Sequence, residues 1–276
     1  MKLGMVFPGQ GSQSVGMMAA YGESPVIREV LQEASDALGL DLARLIAEGP
    51  ADELARTVNT QPVMVTAGVA AYRLWRSLGG DEPAFLAGHS LGEYSALVAS
   101  GVISLAQAVP LVRLRAQAMQ DAVAVGAGAM AAVLGLPAAQ VVAVCAQAQA
   151  EFAPGSGEVV QAANFNDPAQ TVISGSKQAV EKACDMLKAA GAKRTLPLPV
   201  SAPFHCAMME PAAQRLRHHL QGLTLGTPKI PVINNIDVTE ETDPERIRDA
   251  LFRQAFGPVR WVETIQRMHQ HGVSHI

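Results

Sequence analysis

The stretch Ala84-Phe85-Leu86-Ala87-Gly88-His89-Ser90-Leu91-Gly92-Glu93 joins a short apolar run to a helix-forming run, Glu93 to Ser100, through a G-x-S-x-G pattern. Strand, sharp turn and helix in that order are the setting of a nucleophile elbow. A serine at such a turn is strained, and side chains two residues to either side would collide with it, so Gly88 and Gly92 have a steric task. The Ser90 hydroxyl is thereby pushed out above the strand end. The Leu91 amide then falls at a helix N-terminus, where unpaired N–H groups and the positive end of the macrodipole favour a developing oxyanion. With 24 glycines in the chain the bare pattern also arises by chance, and it is the strand and helix around it that argue for half of an acyl-transfer site.

Working outward, the first half alternates strands and helices. The sequence predicts a strand at Leu3–Phe7, a Gly-rich loop to Gly16, and helices at Val26–Leu38, Leu42–Ala47 and Gln61–Leu78. The elbow strand Ala84–Ala87 follows, then helices at Glu93–Ser100 and Leu105–Ala122. Strands feeding helices over such separations indicate a parallel sheet covered by helices, an α/β fold. From about Gly126 the texture changes to strand Ala129–Leu134, helix Ala138–Ala150 opened by Pro137, strand Glu158–Ala163, strand Thr171–Ser174, helix Lys177–Ala190 and strand Lys193–Leu198. That β-α-β-β-α-β order is the ferredoxin-like unit. The expected organisation is therefore a large α/β-hydrolase-like subdomain, residues 1–125 and 199–276, carrying an inserted small subdomain, residues 126–198, with a ligand cleft between them. Asp237–Pro244 reads as an ordinary surface loop before a helix at Glu245–Ala255.

Composition excludes several classes of function. Of 276 residues, 49% are hydrophobic and 17% charged, enough apolar material for a substantial core and too little charge for disorder. The 21 Lys and Arg residues are scattered at a net charge of −4, which offers no basic face to nucleic acid or anionic lipid. Cys145, Cys184 and Cys206 are widely spaced without a C-x-x-C, as in a reducing compartment. The apolar segment at Met1–Phe7 is too short for a signal peptide, so a cytoplasmic location is expected. Ala122–Ala139 carries no polar side chain, but Gly126, Gly128, Gly135 and Pro137 interrupt it, which argues for a buried strand and turn over a membrane span.

A serine nucleophile needs a base. His218 and His219 share a helix with Arg215 and Arg217 and read as a solvated face. His269, His271 and His275 have spacings that could hold a metal, but no carboxylate or cysteine joins them, and no metal is expected. His89, beside Ser90, shapes the pocket. His205, in Val200-Ser201-Ala202-Pro203-Phe204-His205-Cys206, lies where the chain re-enters the large subdomain; its context fits the base and a structural histidine equally. The acids between Ser90 and His205 fall mostly in the inserted unit, so a dyad oriented by a backbone carbonyl fits better than a triad. Phe7-Pro8-Gly9-Gln10-Gly11-Ser12-Gln13 can supply the second oxyanion donor, because glycines on either side of Gln10 let its amide approach a ligand closely. Position 14 is not glycine, so a dinucleotide fingerprint fails. Arg115 lies in a largely apolar helix, where a guanidinium either meets an anion such as a carboxylate or snorkels to the surface.

With Phe7 to Gln13, Gly88 to Glu93 and Phe204-His205 in order, the chain resembles the malonyl-CoA:acyl carrier protein transacylases over essentially its whole length. Supporting segments are Thr60-Gln61-Pro62, Arg115 with Met119-Gln120, Asn164-Phe165-Asn166, Pro231 to Val238 and Gln254 to Trp261. The resemblance implies that Ser90 attacks the thioester and that His205 is general base, then general acid. It implies that the Gln10 and Leu91 amides hold the oxyanion, that Arg115 pairs with the free malonyl carboxylate, and that the Gln254 main-chain carbonyl orients His205. Asn164 and Asn166 would lie near the mouth between subdomains, and Phe204 matches a malonyl-selective pattern. The implied reaction is ping-pong, from malonyl-CoA to the phosphopantetheine thiol of acyl carrier protein. Malonyl-CoA and coenzyme A are substrate and product, no cofactor is needed, and a monomer is expected. The family also implies a further strand, Gly-Pro-Gly turn and helix beyond the position of Ile276. Rival readings are a hydrolase, thioesterase or other acyltransferase, which shares the elbow chemistry without needing Arg115, and a silent carrier-protein-binding module.

Overall fold

A computed structural model describes residues 1–276. The first part runs through β1 (Gly4–Phe7), α1 (Pro25–Leu38), α2 (Leu42–Glu48), α3 (Ala51–Ala55), α4 (Thr57–Ser77), β2 (Phe85–Gly88), α5 (Gly92–Ala99) and α6 (Leu105–Asp121). Next come β3 (Gly128–Leu134), α7 (Ala138–Ala150), β4 (Val160–Asp167), β5 (Gln170–Ser176), α8 (Lys177–Ala189) and β6 (Arg194–Pro197). The chain ends with α9 (Glu210–Gln221), β7 (Val232–Ile233), α10 (Pro244–Gln254) and α11 (Trp261–Gln270). Two sheets result, a parallel one of order β1-β2-β7 and an antiparallel one of order β4-β5-β3-β6.

β2 is the central strand of the parallel sheet and is buried along its length, which is why Phe85-Leu86-Ala87 reads as a continuous apolar run. Leu86, fully buried, turns to the main core of α1, α4, α5 and α6; Phe85 and Ala87 face the opposite way onto Ile233, Met268 and Val273. Alternation in β3 has a different outcome. Ala131 and Val133 pack under α7 and α8 with Val141, Val144, Ala183 and Leu187, whereas Met130 and Ala132 face Leu198, Val200 and Phe204. One face of the antiparallel sheet is thus closed by its own helices, and the other is turned toward the segment that carries His205.

Two expectations need correction. β4 does not stop at Ala163 but continues through Asn164-Phe165-Asn166-Asp167, a stretch whose polarity suggests a loop. It remains extended because the 257–260 segment pairs along it: Phe165 N–H donates to the Val259 carbonyl at 2.9 Å and Val259 N–H to the Ala163 carbonyl at 2.8 Å. Asp237–Pro244 is more than a surface loop. Asp237 takes both terminal nitrogens of Arg253 at 2.7 and 2.6 Å, and Glu240 receives Arg267 at 3.1 and 3.0 Å and His271 at 2.8 Å, so the segment binds α10 and α11 together. No element is expected from the sequence at β7, α3 or α11: β7 and α3, two and five residues long, are too short to show a period, whereas α11 has a one-sided apolar face that pattern reading passed over. No helix is long and apolar enough to cross a membrane.

Leu187 is fully buried between α8 and the antiparallel sheet. Leu187→Ala is expected to lower stability by about 2–5 kcal/mol through the void it leaves, read as a reduced urea unfolding midpoint.

Candidate active site

The elbow is built by exclusion of side chains. A Cβ on Gly88 would lie 1.8 Å from the Gly92 carbonyl carbon, and one on Gly92 would lie 2.2 Å from the Phe7 oxygen. Only with both positions bare can Ser90 hold its left-handed conformation, φ 52°, between β2 and α5. The Pro8-Gly9-Gln10 loop is seated against the same turn, since a Cβ on Gly9 would meet the His89 carbonyl oxygen at 2.8 Å and His89 N–H donates to the Phe7 carbonyl at 2.9 Å. The amides of Gln10 and Leu91 have no acceptor within the chain. Both residues line a cavity of about 150 Å³ together with Ser90, His205, Arg115, Asn164 and Phe204.

His205, at φ 60°, is the second left-handed residue of the site. Its Nδ1 lies 3.0 Å from the Gln254 carbonyl and 3.1 Å from that of Gly257. Carbonyls only accept, so the ring proton belongs on Nδ1 and Nε2 is left as an acceptor. Ser90 Oγ stands 2.6 Å from that Nε2 and donates to it. Burial, aided by the positive charge of Arg115, pushes the imidazole down to about 3, against the two carbonyls that favour the charged form. The ring is therefore neutral at physiological pH and able to accept a proton. The orienting group is a pair of main-chain carbonyls where a triad would use a carboxylate; that of Gly257 has no side-chain signature in the sequence.

Arg115 is 3% exposed and pairs with no carboxylate. Its terminal nitrogens donate to Gln61 Oε1 at 3.0 Å, Gln254 Oε1 at 3.3 Å and Ser90 Oγ at 3.3 Å, while Nε has no partner. Its guanidinium carbon lies 5.6 Å from the Tyr94 ring centroid. The snorkelling alternative thus fails for Arg115, whereas Arg113 on the same helix is only half-buried. Burial lowers the Arg115 pKa, but a guanidinium stays charged at neutral pH. It is a buried cation satisfied only by neutral oxygens.

A family model described as an acyl transferase domain matches residues 5–274. The chain belongs to that acyl transferase family. The malonyl CoA-acyl carrier protein transacylase of Escherichia coli strain K12 is 53% identical over 98% of this chain and 86% of its own length. The Bacillus subtilis strain 168 protein of the same name is 42% identical over 99% and 84%. Among solved structures, an acyl-carrier-protein S-malonyltransferase from Burkholderia pseudomallei 1710b matches with a TM-score of 0.96 at 59% identity, covering 100% of this chain and 88% of that one. A malonyl-transacylase solved in complex with a type II PKS acyl-carrier protein matches at 0.94 and 49%, covering 99% and 87%.

In this acyl transferase not every residue singled out from sequence reaches the cavity. Asn164 does, but Asn166 turns away, its Oδ1 2.8 Å from His89 Nε2, and His89 packs edge-on against Trp261. Burial lowers the His89 pKa, and its side chain props the elbow against β4. Beyond the cavity a wider groove of about 790 Å³ leads from His205 past Phe165, Phe256 and Pro258 to Phe152 at the end of α7. Sequence reasoning missed Asn235, whose Oδ1 accepts from Ser90 N–H at 2.6 Å and whose Nδ2 donates to the Gly88 carbonyl at 2.8 Å. The paired Asn234-Asn235 after an apolar strand was the available signal. No group of three His, Cys, Asp or Glu residues is placed to hold a metal, and His271 is bonded to Glu240 and stacked on Phe85.

Because the His205 pKa lies well below 6.5, labelling of Ser90 by a fluorophosphonate is expected to hold its rate from about pH 8 down to about pH 5. A fall with its midpoint near the ordinary histidine value would show the ring to be solvated.

Proposed function

We propose that this acyl transferase moves the malonyl group of malonyl-CoA to the phosphopantetheine thiol of acyl carrier protein through a malonyl ester on Ser90. The observation that carries the reading is Arg115, a buried guanidinium without a carboxylate partner, 3.3 Å from the nucleophilic oxygen. A neutral acyl group gains little from such a cation. An acyl group ending in a carboxylate supplies the missing anion and is fixed by charge-assisted bonds, which a planar fork can make bidentate.

The steps follow from the geometry. His205 Nε2 takes the Ser90 proton as Oγ attacks the thioester carbon. The carbonyl oxygen, now negative, is received by the free Gln10 and Leu91 amides, the latter at the N-terminus of α5. Collapse breaks the carbon–sulfur bond, and the imidazolium returns its proton to the departing thiolate of coenzyme A. In the second half the carrier thiol gives its proton to Nε2 and attacks the ester. The same amides hold the second tetrahedral oxygen, and collapse releases Ser90 Oγ, which recovers the proton. Side chains and backbone of the chain supply every group in this sequence. Clamping the carboxylate on Arg115 also holds the ester for the incoming thiol and fills space that water would need. The identity to transacylases named for malonyl-CoA and acyl carrier protein, and the match to one solved with its carrier, support the same donor and acceptor. A cytoplasmic site of action accords with that role.

Intact-protein mass after brief mixing with malonyl-CoA is expected to show an adduct that Ser90→Ala abolishes. Arg115→Ala is expected to cut the preference for malonyl over acetyl donors by about 10- to 150-fold, the equivalent of the ~1.5–3 kcal/mol of a hydrogen bond to a charged group. An unchanged ratio in competing acyl-CoA assays would remove Arg115 from donor selection.

A further inference from the structure

Glu93, on the first turn of α5, is 2% exposed and takes no part in the steps above. A buried carboxyl is costly unless its hydrogen bonds are well made. Its Oε2 accepts two, from the Asn235 backbone N–H at 2.9 Å and from Gln254 Nε2 at 3.0 Å. Gln254 is the junction of the site. Its Nε2 also donates to the Ser90 carbonyl at 3.0 Å, its Oε1 accepts from Arg115 at 3.3 Å, and its main-chain carbonyl is one of the two that accept from His205.

A primary amide can face two ways, and only one serves here. If it reversed, Oε1 would face two acceptors, the Glu93 carboxyl oxygen and the Ser90 carbonyl, and its NH2 would confront the donors of Arg115. We propose that Glu93 is a positioning residue of the transfer site, fixing the side-chain amide of Gln254 so that its oxygen holds the Arg115 guanidinium at the acyl pocket. The inference rests on the malonyl reading of that pocket. Glu93 reaches Arg115 through the amide, with no direct ion pair, so the guanidinium is aimed without being occupied. Asn235 ties the same carboxyl to the elbow, since its side chain spans Ser90 N–H and the Gly88 carbonyl.

Burial pushes the Glu93 carboxyl up to about 7, against the donors and the Arg115 charge that favour its ionised form. A proton on Oε1, which receives no hydrogen bond from the chain, would leave the acceptor at Oε2 in place. Glutamine imitates that protonated form, whereas aspartate keeps the charge and withdraws the acceptor by one methylene. The two variants therefore separate placement from charge, and neither empties the site.

The test is competition between malonyl-CoA and acetyl-CoA for Ser90, read by intact mass in wild type, Glu93→Asp and Glu93→Gln. Glu93→Asp is expected to lower the malonyl-over-acetyl ratio by about tenfold, and Glu93→Gln to stay within about twofold of wild type. A merely structural role would slow both donors alike and leave the ratio in Glu93→Asp unchanged, which would overturn the proposal. So would a Glu93→Gln ratio as low as that of Glu93→Asp, because charge and not placement would then be the cause. Absence of a malonyl adduct in wild type would overturn the malonyl reading and this inference together. A wild-type adduct with an unmoved Glu93→Asp ratio would overturn the inference alone.

Discussion

The turn that carries Ser90 tolerates no side chain at Gly88 or Gly92, because either Cβ would overlap backbone. Everything else in the site is placed relative to that constraint. Bare glycines let the start of α5 close on β1, and this brings the Phe7 to Gln10 loop within reach of the Ser90 hydroxyl. The left-handed serine is a local strain that surrounding bonds must over-determine. Asn235 does so from the turn just after β7, bonding the residues on both sides of His89. The turn that follows the shortest strand of the parallel sheet thus has a large part in holding Ser90.

What the sequence made legible was local. G-x-S-x-G between an apolar strand and a helix, glycines flanking Gln10, and Arg115 among the apolar residues of its helix each point to their chemistry within a few residues. The β-α-β-β-α-β order was equally readable, because α8 has a strongly one-sided apolar face and β3 is a short, continuous apolar run. Less was readable wherever a residue's role comes from a distant partner. β4 runs on through Asn164 to Asp167 because the 257–260 backbone supplies bonds to it. His205 could not be separated from a structural histidine until Ser90 and the carbonyls of Gln254 and Gly257 stood around it. Asn166 stands two positions from Asn164, which in a regular strand is the same face, but the register of β4 shifts between Phe165 and Asp167, and Asn166 bonds His89 where Asn164 lines the cavity.

Glutamine amides do much of the organising. Arg115 is held by Gln61 and Gln254, and the Ser90 carbonyl by Gln254, all through neutral groups. Charged partners would bind more strongly, but a carboxylate touching Arg115 would occupy the donors that an acyl carboxylate requires. Neutral acceptors satisfy part of the guanidinium and leave its charge directed into the cavity.

The same charge falls on His205, whose imidazole is held neutral partly by the nearby arginine. Each proton transfer in the proposed mechanism places a positive ring beside a positive guanidinium, a repulsion inherent in the empty site. A donor carrying its own carboxylate cancels that repulsion as it arrives, and an acetyl or longer neutral donor does not. In the proposed mechanism selection then operates twice on one feature of the substrate: once in the grip on the acyl chain, and again in the basicity of the group that would deprotonate serine. The cargo completes the electrostatics of its own transfer.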